Sequence, residues 1–188
     1  MLLVGLTGGI CSGKSAVTCQ LRQHGIPVLD CDEIYRDLCK PGHSCWNSVV
    51  NTFGREYILP NGELDRAALS ELVFNDPATK RKLNRATHWF ITRALLLKVA
   101  WHWMLGHKLL VIDMPLLLEL RMQKYFSHTV AVYCTEATQV HRLMRRDACS
   151  QGAAEARIHA QMPGLQQVQL VKEMLDNRGG REALKHQN

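Results

Sequence analysis

The sequence predicts an α/β fold whose strands run parallel and end at a phosphate-binding edge. Three observations predict it. The first is Gly8-Gly9-Ile10-Cys11-Ser12-Gly13-Lys14-Ser15, which fits G-x-x-x-x-G-K-[ST]. The second is its setting. The apolar run Leu2-Leu3-Val4-Gly5-Leu6 reads as a buried strand, and residues 16–24 read as a helix. The third is Leu109-Leu110-Val111-Ile112-Asp113, a continuous apolar run closing on a carboxylate. That is the pattern of a parallel strand buried on both faces. Glycines let the loop curl so that its N–H groups point at phosphate oxygens. The helix that starts near Gly13 adds the positive end of its dipole. Lys14 is expected on the β- and γ-phosphates, and the Ser15 hydroxyl on Mg²⁺.

Composition narrows the class. A chain of 188 residues, 46% hydrophobic, buries a sizeable core and does not stay disordered. A net charge of +6 suits nucleic acid or small ligands bearing several phosphates. The charge is spread along the chain and no aromatic-interleaved basic stretch occurs, so small phosphorylated ligands are expected and nucleic acid is not. The seven cysteines (Cys11, Cys19, Cys31, Cys39, Cys45, Cys134 and Cys149) are odd in number and form no C-x-x-C. Reduced thiols in the cytoplasm or the mitochondrial matrix are expected, with no zinc site and no disulfide framework. No apolar run reaches membrane-spanning length. The chain enters its first strand directly, so no signal peptide is expected.

Each further element follows from local pattern. Gly25 ends the first helix, and Ile26-Pro27-Val28-Leu29 reads as a second strand. Asp30-Cys31-Asp32 stands at its carboxyl end, where open α/β sheets bind ligands. One aspartate is expected to cap a helix over 33–39 while the other acts in chemistry. Residues 43–53 read as a helix with Trp46, Val49 and Val50 on one face. Asp65 heads a helix carrying Leu69, Leu72 and Val73. Asp76-Pro77 is an N-cap with proline at the first helical position. A long helix then runs towards Leu105, its apolar face formed by Leu83, Ala86, Phe90, Ala94, Leu97 and Trp101. Trp101 and Trp103 are read as packing residues, and Gly106 ends the helix. Asp113 is a candidate for the Mg²⁺ shell, or a turn residue before Pro115. Residues 129–134 read as a strand, and Thr135 caps a helix carrying Val140, Leu143 and Met144. Arg142, Arg145 and Arg146 are either a solvated face or clamps for phosphate. A further helix is expected over 150–161, broken by Pro163-Gly164, and a last strand near Met174-Leu175-Asp176.

The chain lacks the Asn-Lys-x-Asp guanine reader of GTPases. It resembles the dephospho-coenzyme A kinase family, including its animal domain-containing members, over nearly its whole length. The resemblance is carried by Leu6-Thr7-Gly8 through Ser15, and by Asp30-Cys31-Asp32 with Arg36, Pro41 and Gly42. Phe53-Gly54, Gly62, Asp65-Arg66, Leu69, Phe74, Leu83-Asn84 and His88 follow in family order. Asp113-Met114-Pro115-Leu116-Leu117 with Glu119 resembles D-x-P-L-L-x-E. Arg142, Arg146, Arg157-Ile158, Gln161 and Asp176-Asn177 complete the match.

The resemblance implies a P-loop nucleotide-kinase-like fold: a five-stranded parallel sheet flanked by helices, with a helical substrate domain and a lid. It implies one kinase domain over 1–188, with its core near 1–31, 109–141 and 166–188. A coenzyme A-binding insertion is implied near 32–108 and a lid near 142–165. The implied reaction moves the γ-phosphoryl of ATP to the ribose 3′-hydroxyl of dephospho-coenzyme A. Asp32 would take the hydroxyl proton, and Arg142 and Arg146 would neutralise charge on the moving group. Arg36, Asn84 and His88 would contact the acceptor. Ala16, Trp89 after His88 in place of proline, and a final helix cut to about 181–185 depart from the family pattern. These departures keep open a weakened nucleotide- or coenzyme A-binding protein, and a related kinase of another nucleoside or nucleotide acceptor remains a separate alternative. Cys11, inside the loop at a helix N-terminus, is expected to be reactive and protected by ATP.

Overall fold

The apolar run at the amino terminus forms β1 (Leu2–Thr7), followed by α1 (Lys14–Gln23) and β2 (Val28–Asp30). The structure is a computed structural model that describes residues 1–178. The expected helix over 181–185 lies outside the described residues, as do the side chains of Val73 and Phe74. With β3 (Leu109–Asp113), β4 (His128–Tyr133) and β5 (Glu173–Asp176), the strands make a five-stranded sheet of order β2-β3-β1-β4-β5. Every pairing is parallel. Register brings Leu6, Asp30 and Asp113 side by side, so three carboxyl ends share one edge. The chain leaves β1 for β2 on one side and returns for β4 on the other. That order reversal opens a crevice at the carboxyl edge. Leu6, Val17, Val111 and Val132 are buried together. Central strands covered on both faces need such continuous apolar runs.

The chain divides into two compact units, one built from residues 1–30 and 105 onward, the other from Cys31–Met104. The second is helical: α2 (Cys31–Leu38), α3 (Ser44–Phe53), α4 (Arg66–Asn75) and α5 (Pro77–Met104). Its core is Cys39, Cys45, Val49, Leu64 and Leu69, with Leu83 and Phe90 of α5 against it. Asp65 accepts from the Ala68 N–H at 2.9 Å, and Asp76 from the Ala78 N–H at 2.8 Å. Each cap contributes about 1 kcal/mol.

Two readings of this unit need correction. The helix expected from 33 begins at Cys31, which places Asp32 inside its first turn and not at the cap. Negative charge there is favoured by the helix dipole. Leu83, Ala86, Phe90 and Ala94 are half-buried on α5 as expected, but Leu97, Trp101 and Trp103 are exposed. The 28 residues of α5 span about 42 Å, whereas α3 and α4, ten residues each, cover about 15 Å. Periodicity marked an apolar face, and the covering elements reach only part of it. α5 runs unbroken through 88–90, as a residue other than proline allows.

In the sheet unit, α6 (Glu136–Asp147), α7 (Gln151–His159) and α8 (Gly164–Leu170) follow β4. Thr135 and Ser150 cap the first two through the N–H groups of Thr138 and Ala153. Leu143, Ala154 and Ile158 form their shared core. Pro163-Gly164 does more than break a helix: Pro163 is the N-cap of α8, where a missing N–H costs nothing.

Candidate active site

The loop between β1 and α1 turns on its glycines. Gly8 has φ 149° and Gly13 has φ 108°, conformations that glycine adopts without a steric penalty. A Cβ on Gly8 would stand 2.6 Å from the Val132 carbonyl oxygen, and one on Gly13 would collide with the Asn177 amide. Cys11 also takes a positive φ, 56°, so the surrounding contacts hold a conformation that its side chain disfavours.

Those contacts come from behind the loop. Gln139 Nε2 donates to the Ile10 carbonyl at 2.7 Å, and Asn177 Nδ2 to the Ser12 carbonyl at 2.7 Å. Arg142 Nη1 donates to the carbonyls of Cys11 and Ser12 at 3.3 and 3.4 Å. In a trans peptide the N–H lies opposite its carbonyl. Turning the Ile10 and Ser12 carbonyls to these donors therefore turns the N–H groups of Cys11 and Gly13 the other way, into the cradle. Gln161 Oε1 accepts from the Ile10 N–H at 2.8 Å. Lys14 Nζ folds back to donate to the Gly8 carbonyl at 2.8 Å. A cleft of about 370 Å³ opens beside Gly9, lined by Tyr133, Glu136, Gln139 and Gln161 among others.

Of the predicted site residues, the loop 8–15 and Arg142 come together here. Arg146 is exposed and makes a two-pronged contact with Asp147, at 2.7 and 3.2 Å. Arg157 donates to the same carboxylate at 2.8 Å, and these pairings hold Asp147 below the usual carboxylate range. Asp113 is buried at the end of β3, in register with Leu6 and Asp30. Ser15 is the second residue of α1. Asp32, Arg36, Asn84 and His88 belong to the helical unit. Asp32 and Arg36 stand one turn apart on α2, Asn84 and His88 one turn apart on α5, and all four are exposed.

Sequence reasoning gave no role to Gln139, Gln161 or Asn177, which hold the loop from 129 to 165 residues away. The signal for Gln139 was a polar residue four before Leu143, on the buried face of α6. The expected reactivity of Cys11 is also corrected. Arg146, Arg142 and Lys14 each act to lower its pKa, but burial outweighs them and pushes the thiol up.

A glycine-turned loop between a central parallel strand and a helix, with a lysine folded over it, defines a P-loop phosphotransferase. The dephospho-CoA kinase family model matches residues 2–182. A dephospho-CoA kinase domain-containing protein of Danio rerio is 43% identical over 183 residues, 97% of this chain and 80% of that protein. The dephospho-CoA kinase of Geobacillus kaustophilus is 36% identical over 186 residues, 99% of this chain and 92% of that protein. The crystal structure of TT1252 from Thermus thermophilus aligns with a TM-score of 0.83 at 32% identity, covering 98% of this chain and 92% of that one. The chain belongs to the dephospho-CoA kinase family.

Bound ATP should shield Cys11. Its thiol should label slowly at neutral pH compared with the exposed Cys19, because burial disfavours the thiolate. ATP should slow Cys11 further and leave Cys19 unchanged, as read by mass spectrometry of the labelled peptides. Equal Cys11 rates with and without ATP would contradict the loop geometry.

Proposed function

We propose that this protein transfers the γ-phosphoryl group of ATP to the ribose 3′-hydroxyl of dephospho-coenzyme A, giving ADP and coenzyme A. The observation that carries the reading is the intact, cross-braced phosphate loop in a chain matched over residues 2–182 by the dephospho-CoA kinase family. In the reaction a bond forms from the 3′-oxygen to the γ-phosphorus, and the bond to the β–γ bridging oxygen breaks. The hydroxyl proton passes to Asp32. ADP leaves with the electron pair.

Phosphoryl transfer needs positioning and charge stabilisation more than covalent work. The loop amides hold the donor phosphates, and Lys14 exchanges its contact with the Gly8 carbonyl for the β- and γ-phosphates. Arg142 supports the loop from behind and adds positive charge, and Arg146 neutralises the moving group. Arg36, Asn84 and His88 bind the acceptor. The segment near 142–165 acts as the lid, and residues near 32–108 bind the acceptor.

Mg²⁺ fits the residues present. This ion keeps several waters and takes one or two protein oxygens plus phosphates. A hydroxyl on Ser15 and a buried carboxylate on Asp113 supply such oxygens without a three-ligand cluster. When bound it neutralises phosphate charge. The seven cysteines, none in a disulfide, support a reducing compartment, cytoplasmic or mitochondrial.

A coupled ADP-release assay on the purified protein tests the reading. Dephospho-coenzyme A should raise ADP release at least about a hundredfold over the ATP-only rate, within what positioning provides. The product should carry a new 3′-phosphate by phosphorus NMR. Equal rates with and without the acceptor, or a preference for another nucleoside, would overturn it.

A further inference from the structure

One face of α5 lies away from Asn84 and His88, the residues of this helix assigned to the acceptor. α5 carries six Lys or Arg residues and no Asp or Glu. Lys82, Arg85, Trp89, Arg93, Leu96, Ala100 and Trp103 recur three and four residues apart along it. They fall within a stripe about 80° wide at about 100° per residue. All seven are exposed, Trp89 to 69% and Trp103 to 66%. Leu97 and Met104 widen the apolar end and are exposed too. Leu83 and Phe90, which meet the core, flank the stripe on one side. Asn84 and His88 lie on its other side, about 100–140° from Trp89.

The two halves of the stripe differ in chemistry. The first presents Lys82, Arg85 and Arg93 around one indole. The second presents Leu96, Leu97, Trp103 and Met104. Indoles favour the boundary between headgroups and acyl chains. Basic side chains rest their stems on apolar surface and keep their charge in the headgroup layer. We propose that this face of α5 docks on an anionic lipid bilayer, lying along its surface. Charge complementarity selects that occupant. A second copy laid parallel would set Lys82, Arg85 and Arg93 against their own counterparts. An antiparallel copy would set them against Leu96 and Trp103. An anionic headgroup layer over an apolar interior answers both halves at once. No helix among the described residues is long and apolar enough to cross a membrane, so the contact lies in the plane and reverses with salt.

Vesicle sedimentation of the full chain tests this. Vesicles of phosphatidylcholine with roughly one third phosphatidylserine should bind at least about tenfold more tightly than phosphatidylcholine alone. Binding should shift the tryptophan emission to the blue and weaken steeply as salt rises. Each basic side chain near such a surface is worth about fivefold, so R85E with R93E should lose at least about tenfold in binding. L96E with W103E should lose a similar factor. Both variants should keep the thermal unfolding midpoint of the unaltered chain. Equal binding to both vesicle types overturns the proposal. So does unchanged binding by R85E with R93E in a folded protein. A dimer in solution that L96E with W103E dissociates, with no vesicle binding, assigns the face to a second copy instead.

Discussion

Lys14→Ala should lower kcat for the proposed phosphoryl transfer by about 10³-fold or more, a loss of at least about 4 kcal/mol of transition-state stabilisation. The ammonium is the one side-chain charge carried by the loop itself. It stands over the loop entrance, 2.8 Å from the Gly8 carbonyl. An ammonium has three donors, so it can leave that carbonyl for phosphate oxygens without a change in the loop. Charge developing between the β- and γ-phosphates has no equivalent partner once it is gone. The fold should survive. The loop is held by Gln139, Asn177 and Arg142 from behind, and none of those bonds involves the Lys14 side chain. The unfolding midpoint should therefore move by only a few degrees, the shift of about 1 kcal/mol in a chain of this size. Steady-state kinetics and thermal unfolding on the same preparation check both halves. Activity within about threefold of the unaltered chain, roughly 0.7 kcal/mol, would remove Lys14 from the mechanism. A collapse of the unfolding midpoint would make it a structural residue.

Local signals in the sequence were read where local physics decides the outcome. The β1–loop–α1 unit, the buried run of β3 and the caps at Asp65, Asp76 and Thr135 all depend on residues within a few positions of one another. Such features are set by backbone geometry and nearest-neighbour hydrogen bonds. What stayed illegible depends on distant chain. Gln139 and Asn177 brace the loop only because the sheet order sets β4 beside β1 and β5 beside β4. A polar position on the buried face of α6 marks Gln139, but only the fold shows which carbonyl it holds. The helix start beside Cys11 argued for a lowered pKa of its thiol. Its burial by α6 and α7, visible only in the fold, reverses the sign. Leu97 and Trp101 show the same limit from the other side. Their spacing marks an apolar face, but whether a neighbour covers that face is a question of tertiary reach.

Asp32→Asn should lower kcat by roughly 10²-fold or more, the range for a lost general base, with the KM for ATP changed less than about twofold. The substitution keeps size and hydrogen-bonding shape but removes the acceptor of a proton. Asp32 lies two residues past the end of β2, exposed in the first turn of α2. The helix dipole favours negative charge at that position. Asp30 is its competitor. Asp30 ends β2 in register with Asp113, and its backbone belongs to the sheet. Asp30→Asn should therefore affect stability more than the chemical step. The two variants separate the roles through a kcat-against-Tm comparison. For Asp32→Asn the rate should fall at a nearly constant unfolding midpoint. For Asp30→Asn the midpoint should move and the rate should follow it by less than tenfold, about 1.4 kcal/mol. A larger loss of kcat at Asp30 than at Asp32 would transfer the base to the other aspartate.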